Sequence, residues 1–388
     1  MISTKIMNQL SVTASSIDPP ESIQISQMAI KRDNKGHDVL NLGWGEPHFT
    51  TPQSVIDALH TSVDAGHTNY TESAGIEPLR ERIAQKLEAD NHLTAASEEI
   101  IVTPGAKQAI FLSIRAVVDP GDEILIPSPA WTSYAKMVEL AGANPVSIPG
   151  TPQNRFVPTE QQLRAAITAD TKAIIVNTPG NPTGAVLNRA ELESIAALAN
   201  EHDLFVISDE VYEHYTFDDR THLSIGSFDG MSDRAITVNG LSKSHAMTGW
   251  RLGYLHTTPE IQNVILRINQ HLNTCTTAFV QHAAVEAFDA TDHLPDVVET
   301  YERNRNAFVE TIPFPAVIPE GAFYCLVDVR EYTDDEGELA KQLLRETDVA
   351  LTPGRTYGSA ASGFLRASLA LDTEQIQEAA SRVAAWYN

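Results

Sequence analysis

Between about residues 98 and 257 the chain alternates short, β-branched apolar runs with amphipathic helical stretches. EEIIVT is followed by AKQAIFLSIRAVV, EILIPSP by TSYAKMVELAG, and KAIIVNTP by NRAELESIAALANEHD; then come LFVISDE, AITVNG and RLGYLHT. Strands this uniformly apolar are covered on both faces, which requires helices on either side of a mostly parallel sheet. The pattern predicts an α/β large domain over 46–290. After it the character changes: polar YERNRNAFVE precedes the strand-like AFYCLVDV and FLRASLAL. A smaller α+β domain over 291–388 follows from this, with the N-terminal segment 1–45 packed against it.

Composition narrows the class of function. The 27 basic and 51 acidic residues leave a net charge of −24, a field that repels phosphate backbones and anionic lipid. Neither nucleic acid nor a membrane is expected as a partner. Cys275 and Cys325 lie fifty positions apart and form no C-x-x-C pair, so neither a disulfide framework nor a zinc cluster is expected. There is no continuous apolar leader and no run of about eighteen apolar residues, and a cytoplasmic location is the expectation.

Several familiar signatures fail. Gly43-Trp44-Gly45 begins like a dinucleotide fingerprint, but the third glycine position is His48, and no strand–turn–helix unit surrounds it. A phosphate-loop lysine, H-E-x-x-H and G-x-S-x-G are all missing from the sequence. Ser133-Tyr134-Ala135-Lys136 matches S-x-x-K without the accompanying K-T-G.

The informative residues sit where apolar runs end. Lys243 follows AITVNG, and Arg251 comes eight residues later in SKSHAMTGWRLGY. Asp209 closes LFVISD and Tyr212 lies in the next turn; Asn181 belongs to NTPGNPTG; Gly105-Ala106-Lys107 opens a helix after IIVT. Open α/β sheets bind ligands at the carboxyl ends of their strands, so these four strand ends converge on one crevice. Such an inventory suits pyridoxal 5′-phosphate. A lysine amine can link to the cofactor aldehyde, an aspartate can keep the pyridine nitrogen protonated, and an arginine with helix N–H groups can neutralise the phosphate.

With these residues in order, the chain resembles the fold type I aminotransferases, in the branch of aspartate, aromatic and prephenate aminotransferases. LNLGWGEPHFTTP, NYTESAGIEPLRERIA, TPGAKQAIF, PAWTSY, VNTPGNPTG, ISDEVYEH, GLSKSHAMTGWRLGY and GFLRASLAL carry the resemblance nearly end to end. It implies a seven-stranded large-domain sheet, a small domain formed by both termini, and transfer of an amino group between an amino acid and a 2-oxo acid. It also implies a role for each residue. Lys243 is the Schiff-base lysine and proton shuttle, Asp209 the partner of the pyridine nitrogen, and Tyr212 with Asn181 the partners of the ring oxygen. Trp131 stacks on the ring, while Gly105, Ala106, Arg251 and Ser242 form the phosphate cup. Arg366 grips the substrate α-carboxylate, which the backbone of Gly45 also approaches, and Tyr70 reaches the phosphate of a neighbouring subunit in a homodimer with shared sites.

Substrate choice is less determined. Lys107, in GAK, stands where one aspartate-specific subgroup reads the distal carboxylate, and its alternative is the cofactor phosphate. The hydroxyl-bearing segment that assists there is replaced by Pro20-Glu21-Ser22, and NTCTTAFV lacks the arginine of another branch. A lyase or decarboxylase on the same scaffold is the alternative activity. A non-enzymatic cofactor-binding regulator is disfavoured, because the chain has no spare DNA-binding module and keeps the reactive lysine.

Overall fold

A computed structural model describes Ser11 and residues 21–388. Among the described residues the strands in chain order begin with β1 (Leu40–Asn41), β2 (Ile100–Thr103), β3 (Glu123–Ser128), β4 (Asn144–Pro149), β5 (Thr171–Asn177), β6 (Phe205–Asp209), β7 (Ala235–Gly240) and β8 (Gly253–His256). They continue with β9 (Ala316–Val317), β10 (Tyr324–Asp328), β11 (Val349–Ala350), β12 (Thr352–Pro353) and β13 (Phe364–Ser368).

The large sheet has seven strands in the order β2-β8-β7-β6-β5-β3-β4, as expected. β3 to β7 pair in parallel, whereas β8 is antiparallel to both β7 and β2. The reversal has a local cause: residues 241–252, between β7 and β8, hold a short helix (Leu241–Ser244) and a turn rather than a full crossover helix. Because β8 runs backwards, the turn that precedes it lies at the same edge as the ends of its parallel neighbours.

Helices cover both faces. On one side Ile110 and Ile114 of the helix Ala106–Val117 pack with Met137 and Val138 against Ile124, Ile175, Ile207 and Ile236 of the sheet. On the other, Leu192, Ile195 and Leu198 of the helix Arg189–His202 pack on Leu125, Ile174 and Val206. Successive strand residues therefore face opposite helical layers, and both sets are apolar, which explains the unbroken apolar runs.

The small layer is built from both ends of the described chain. β1 pairs in parallel with β11, and Ile25, Ala29, Leu40 and Leu42 share one core with Leu339, Leu343, Leu365 and Ile376. A four-stranded sheet, β12-β13-β10-β9, backs it. The polar stretch YERNRNAFVE lies within the long helix Leu294–Thr311, whose Tyr301, Asn304 and Phe308 are buried. Pro20 lies outside the described residues, as do the side chains of Glu21 and Ser22. No helix among the described residues is long and apolar enough to cross a membrane.

Candidate active site

The carboxyl ends of β2, β3, β5, β6 and β7 meet the small layer around a crevice of about 550 Å³. β6 ends on Asp209, which is buried at 4% exposure. Asn177, ending β5, donates through Nδ2 to the Asp209 carbonyl at 2.9 Å and accepts the Asn181 N–H at 2.9 Å. The Asp209 carboxylate accepts the Tyr134 hydroxyl at 2.6 Å and the Val211 N–H at 3.3 Å. Behind it the next residue, Glu210, is fully buried and accepts from Ser208 and Ser224 at 2.7 and 2.8 Å and from Asn91 at 3.1 Å. That network fixes the end of β6 from behind.

β7 delivers Lys243 through the short helix that follows it. The lysine Nζ donates to the Gly45 carbonyl at 2.6 Å, and it stands 5.8 Å from the Tyr212 ring centroid. Burial brings its pKa down to about 8, with Arg366 and Arg251 adding to the effect and Glu46 and Asp209 opposing it. Asp209 moves the other way. Burial lifts it to about 6, although Tyr134 and the Val211 N–H favour its anion.

The helix Ala106–Val117 opens at the same edge; the Gln108 and Ala109 N–H groups turn back to the Gly105 carbonyl at 3.0 and 3.5 Å, which leaves those of Ala106 and Lys107 without an intrahelical partner. Gly105 precedes it with φ +85°, and a side chain there would begin 2.4 Å from Arg251 Nη2. Arg251, in the turn before β8, is held by the carbonyls of Thr248 and Pro104 at 2.9 and 3.3 Å. A side chain at Gly253 would begin 2.2 Å from the Ala106 nitrogen, so backbone contact seats β8 against the helix start. Lys107 places its ammonium 4.8 Å from the Trp131 ring centroid; burial, then Arg251, lowers its pKa.

From the small layer comes Arg366 on β13. Its Nη1 donates to Asn181 Oδ1 at 3.2 Å and its Nη2 to the Gly43 carbonyl at 2.7 Å, with Nε buried and unpartnered. The guanidinium lies over Tyr324 and Tyr357, 4.4 and 4.9 Å from their centroids. Tyr324 in turn shares a 2.9 Å hydrogen bond with Tyr212.

Gly45, Ala106, Lys107, Trp131, Asn181, Asp209, Tyr212, Ser242, Lys243, Arg251 and Arg366 thus all line the crevice, and Gly105 lies beneath Arg251. Tyr70 does not join them: it stands on the surface at 86% exposure. The backbone of Gly45 meets Lys243, whereas it is Gly43 that meets Arg366. Sequence reasoning passed over Tyr134, Tyr324, Tyr357, Asn177 and Glu46, which also line the crevice. Tyr134 had a signal, three residues beyond Trp131 at helical spacing in PAWTSY. Tyr324 had none, because it looks like any core aromatic of a strand.

A half-buried amine and a buried carboxylate stand on adjacent strand ends, with a guanidinium entering from the second layer. That arrangement can hold an anionic, nitrogen-containing ring compound and present an amino acid to it. Residues 37–383 match the family described as aminotransferase class I and II. The chain belongs to this family. This aminotransferase is 41% identical to the aspartate aminotransferase of Pyrococcus abyssi, with 89% of the chain and 91% of that protein covered. It is 38% identical to aromatic-amino-acid aminotransferase 2 of Thermococcus litoralis, covering 89% of the chain and 90% of the relative. Among solved structures, that of Thermus thermophilus aspartate aminotransferase with maleate superposes with a TM-score of 0.93 at 37% identity, covering 97% and 99% of the two chains. The aminotransferase therefore moves an amino group between an amino acid and a 2-oxo acid.

Proposed function

We propose that this aminotransferase works with pyridoxal 5′-phosphate in the crevice and takes a dicarboxylic amino acid, aspartate or glutamate, as its amino donor. The observation that carries the cofactor reading is the half-buried Lys243 beside the buried Asp209 at neighbouring strand ends, next to the start of the helix Ala106–Val117 and Arg251. The donor set fits the cofactor. Asp209 would hold the ring nitrogen, Tyr212 and Asn181 the ring oxygen and Trp131 the ring face. Gly105, Ala106, Ser242 and Arg251 would hold the phosphate. When bound, the cofactor supplies an aldehyde that captures amines and a ring that accepts electrons from the substrate Cα.

The chain's own residues do the rest. Lys243, with its pKa near 8, has an appreciable neutral fraction close to physiological pH and can take a proton from the substrate Cα and later return it. Arg366 offers two parallel N–H donors to the α-carboxylate, and its present partners, a carbonyl and an amide oxygen, occupy those donors until substrate arrives. Tyr324 and Tyr357 cover its faces and exclude water, which strengthens the charge pairing. Borohydride treatment of the loaded protein followed by peptide mass spectrometry tests the central assignment: the covalent label is expected on Lys243, and a label on any other residue refutes it.

Lys107 supports the dicarboxylate reading, since its ammonium and the helix start both favour an anion at the crevice wall. The Thermus relative was solved with maleate, itself a dicarboxylate. Replacing Lys107 by Ala is expected to lower kcat/KM for aspartate by roughly ten- to a hundredfold while an uncharged donor is nearly unaffected. Equal losses for both donors would assign Lys107 to the cofactor phosphate instead. Tyr70, exposed in the single chain, supports a homodimer in which it completes the neighbour's site. The two free cysteines support a reducing, cytoplasmic setting.

A further inference from the structure

Beside the crevice, on the outer side of the Asn181 loop, lies a second cavity of about 340 Å³. Its floor is apolar: Ile126 from β3, Val176 from β5, Leu163, Phe156, Leu187 and Ile195. Tyr134, Asn177 and Asn181 line both spaces and form the wall between them. The volume falls in the roughly 300–1,000 Å³ range of small-molecule sites, and an apolar floor with a few polar groups is their usual lining.

Charge decides what can enter. Among the described residues the charged members of the lining are Glu160 and Glu191, and none is basic. An anion, and with it a charged amino-acid or oxo-acid substrate, finds no cationic partner in this lining. Both carboxylates are also already paired, Glu160 with Arg164 and Glu191 with Arg155, so a cation would have to displace an arginine. An uncharged ligand meets neither obstacle. Asn154, Asn188 and Ser194 at the margin offer hydrogen bonds to one polar group.

The dividing wall links this cavity to the chemistry. The Tyr134 hydroxyl donates to Asp209, and Asn181 accepts from Arg366. Phe156 also packs edge-to-face on Phe364 of β13, 5.4 Å between centroids, and so joins the cavity to the strand that carries Arg366. We propose that this cavity is a regulatory site for an uncharged, largely apolar molecule of one or two rings, whose binding disturbs Tyr134 and Asn181 from behind and lowers turnover without competing with the amino acid.

Indole is a suitable probe, being neutral, bicyclic and a single hydrogen-bond donor. Equilibrium dialysis against the intact, cofactor-loaded protein is expected to find saturable binding that persists when the amino-acid substrate is saturating, and steady-state kinetics a fall in kcat at unchanged KM. Ser194→Leu and Leu187→Phe fill the cavity from two different elements, and neither residue lines the crevice. Each is expected to keep basal activity and to weaken indole binding by about tenfold or more. Inhibition that is competitive and equal in both filled variants would locate indole in the active crevice and overturn the proposal. Absence of saturable binding up to the solubility of indole would overturn it as well. The dialysis arm needs no assumption about which crevice residues are catalytic, so its result stands apart from the reading of Lys243 and Asp209.

Discussion

At Lys243 burial works against the charged form, and the consequence is measurable in the cofactor-free protein. The lysine pKa falls from 10.5 to about 8 on folding, so between those values the unfolded chain binds more protons and stability rises with pH. The penalty is complete below about 8 and has vanished above 10.5. Lys243→Met removes it. Near neutral pH the variant is expected to gain up to about 3 kcal/mol in urea unfolding, and the gain should fade as the pH is raised through the lysine window; a gain independent of pH would contradict the account. Asp209 has the opposite sign. With its pKa lifted from 3.8 to about 6, its contribution is complete below 3.8 and lost as the pH rises through about 6. Together the two groups make the cofactor-free crevice least favourable between about pH 6 and 8, where both are charged. A ligand that offers a protonated nitrogen to one and a carbonyl carbon to the other relieves both.

At the scale of elements the site depends on close approach between the turn before β8 and the start of the helix Ala106–Val117. Gly105→Ala tests it. The new methyl would begin 2.4 Å from the Arg251 guanidinium at a φ of +85° that alanine tolerates poorly. We expect cofactor affinity, read by spectroscopic titration, to fall by roughly ten- to a hundredfold, for a strain of about 1–3 kcal/mol. The residues of this meeting point were legible in the sequence, because TPGAK, NPTG, ISDEVY and LSK each follow an apolar run and so each mark a strand end. The direction of β8 was not legible: RLGYLHT has the same apolar pattern whichever way it runs, and only the short span after β7 forces the reversal. Tyr324 escaped for a related reason. It stacks with Arg366 because β10 pairs with β13 at Leu326 opposite Arg366, and a register between strands forty residues apart leaves no local trace. Tyr134 is intermediate, local in spacing but indistinguishable by composition from the buried aromatics around it.

At the scale of the whole molecule Tyr70 stands apart from the crevice. Its ring stands almost fully in solvent in the single chain, while the other aromatics proposed for the site, Trp131 and Tyr212, are at least half withdrawn. If two copies complete each other's sites, a Tyr70→Ala chain and a Lys243→Ala chain, each nearly inactive alone, are expected to regain activity on subunit exchange. Random mixing leaves one intact site in half of the dimers, so the ceiling is about a quarter of the native rate. No recovery, with exchange verified by native mass spectrometry, would refute the sharing.

The small layer draws Gly43 and Gly45 from near the start of the chain and Arg366 from near its end, and this bears on how the enzyme comes into being. During synthesis the large sheet, with Lys243 and Asp209 at its edge, leaves the ribosome long before β13 does. A nascent chain halted anywhere between β8 and β13 carries the reactive amine without the guanidinium that orders the incoming amino acid. On the proposed reading, the groups that would hold the cofactor thus emerge before the one that would orient the substrate, and the crevice is closed only when the last strand arrives.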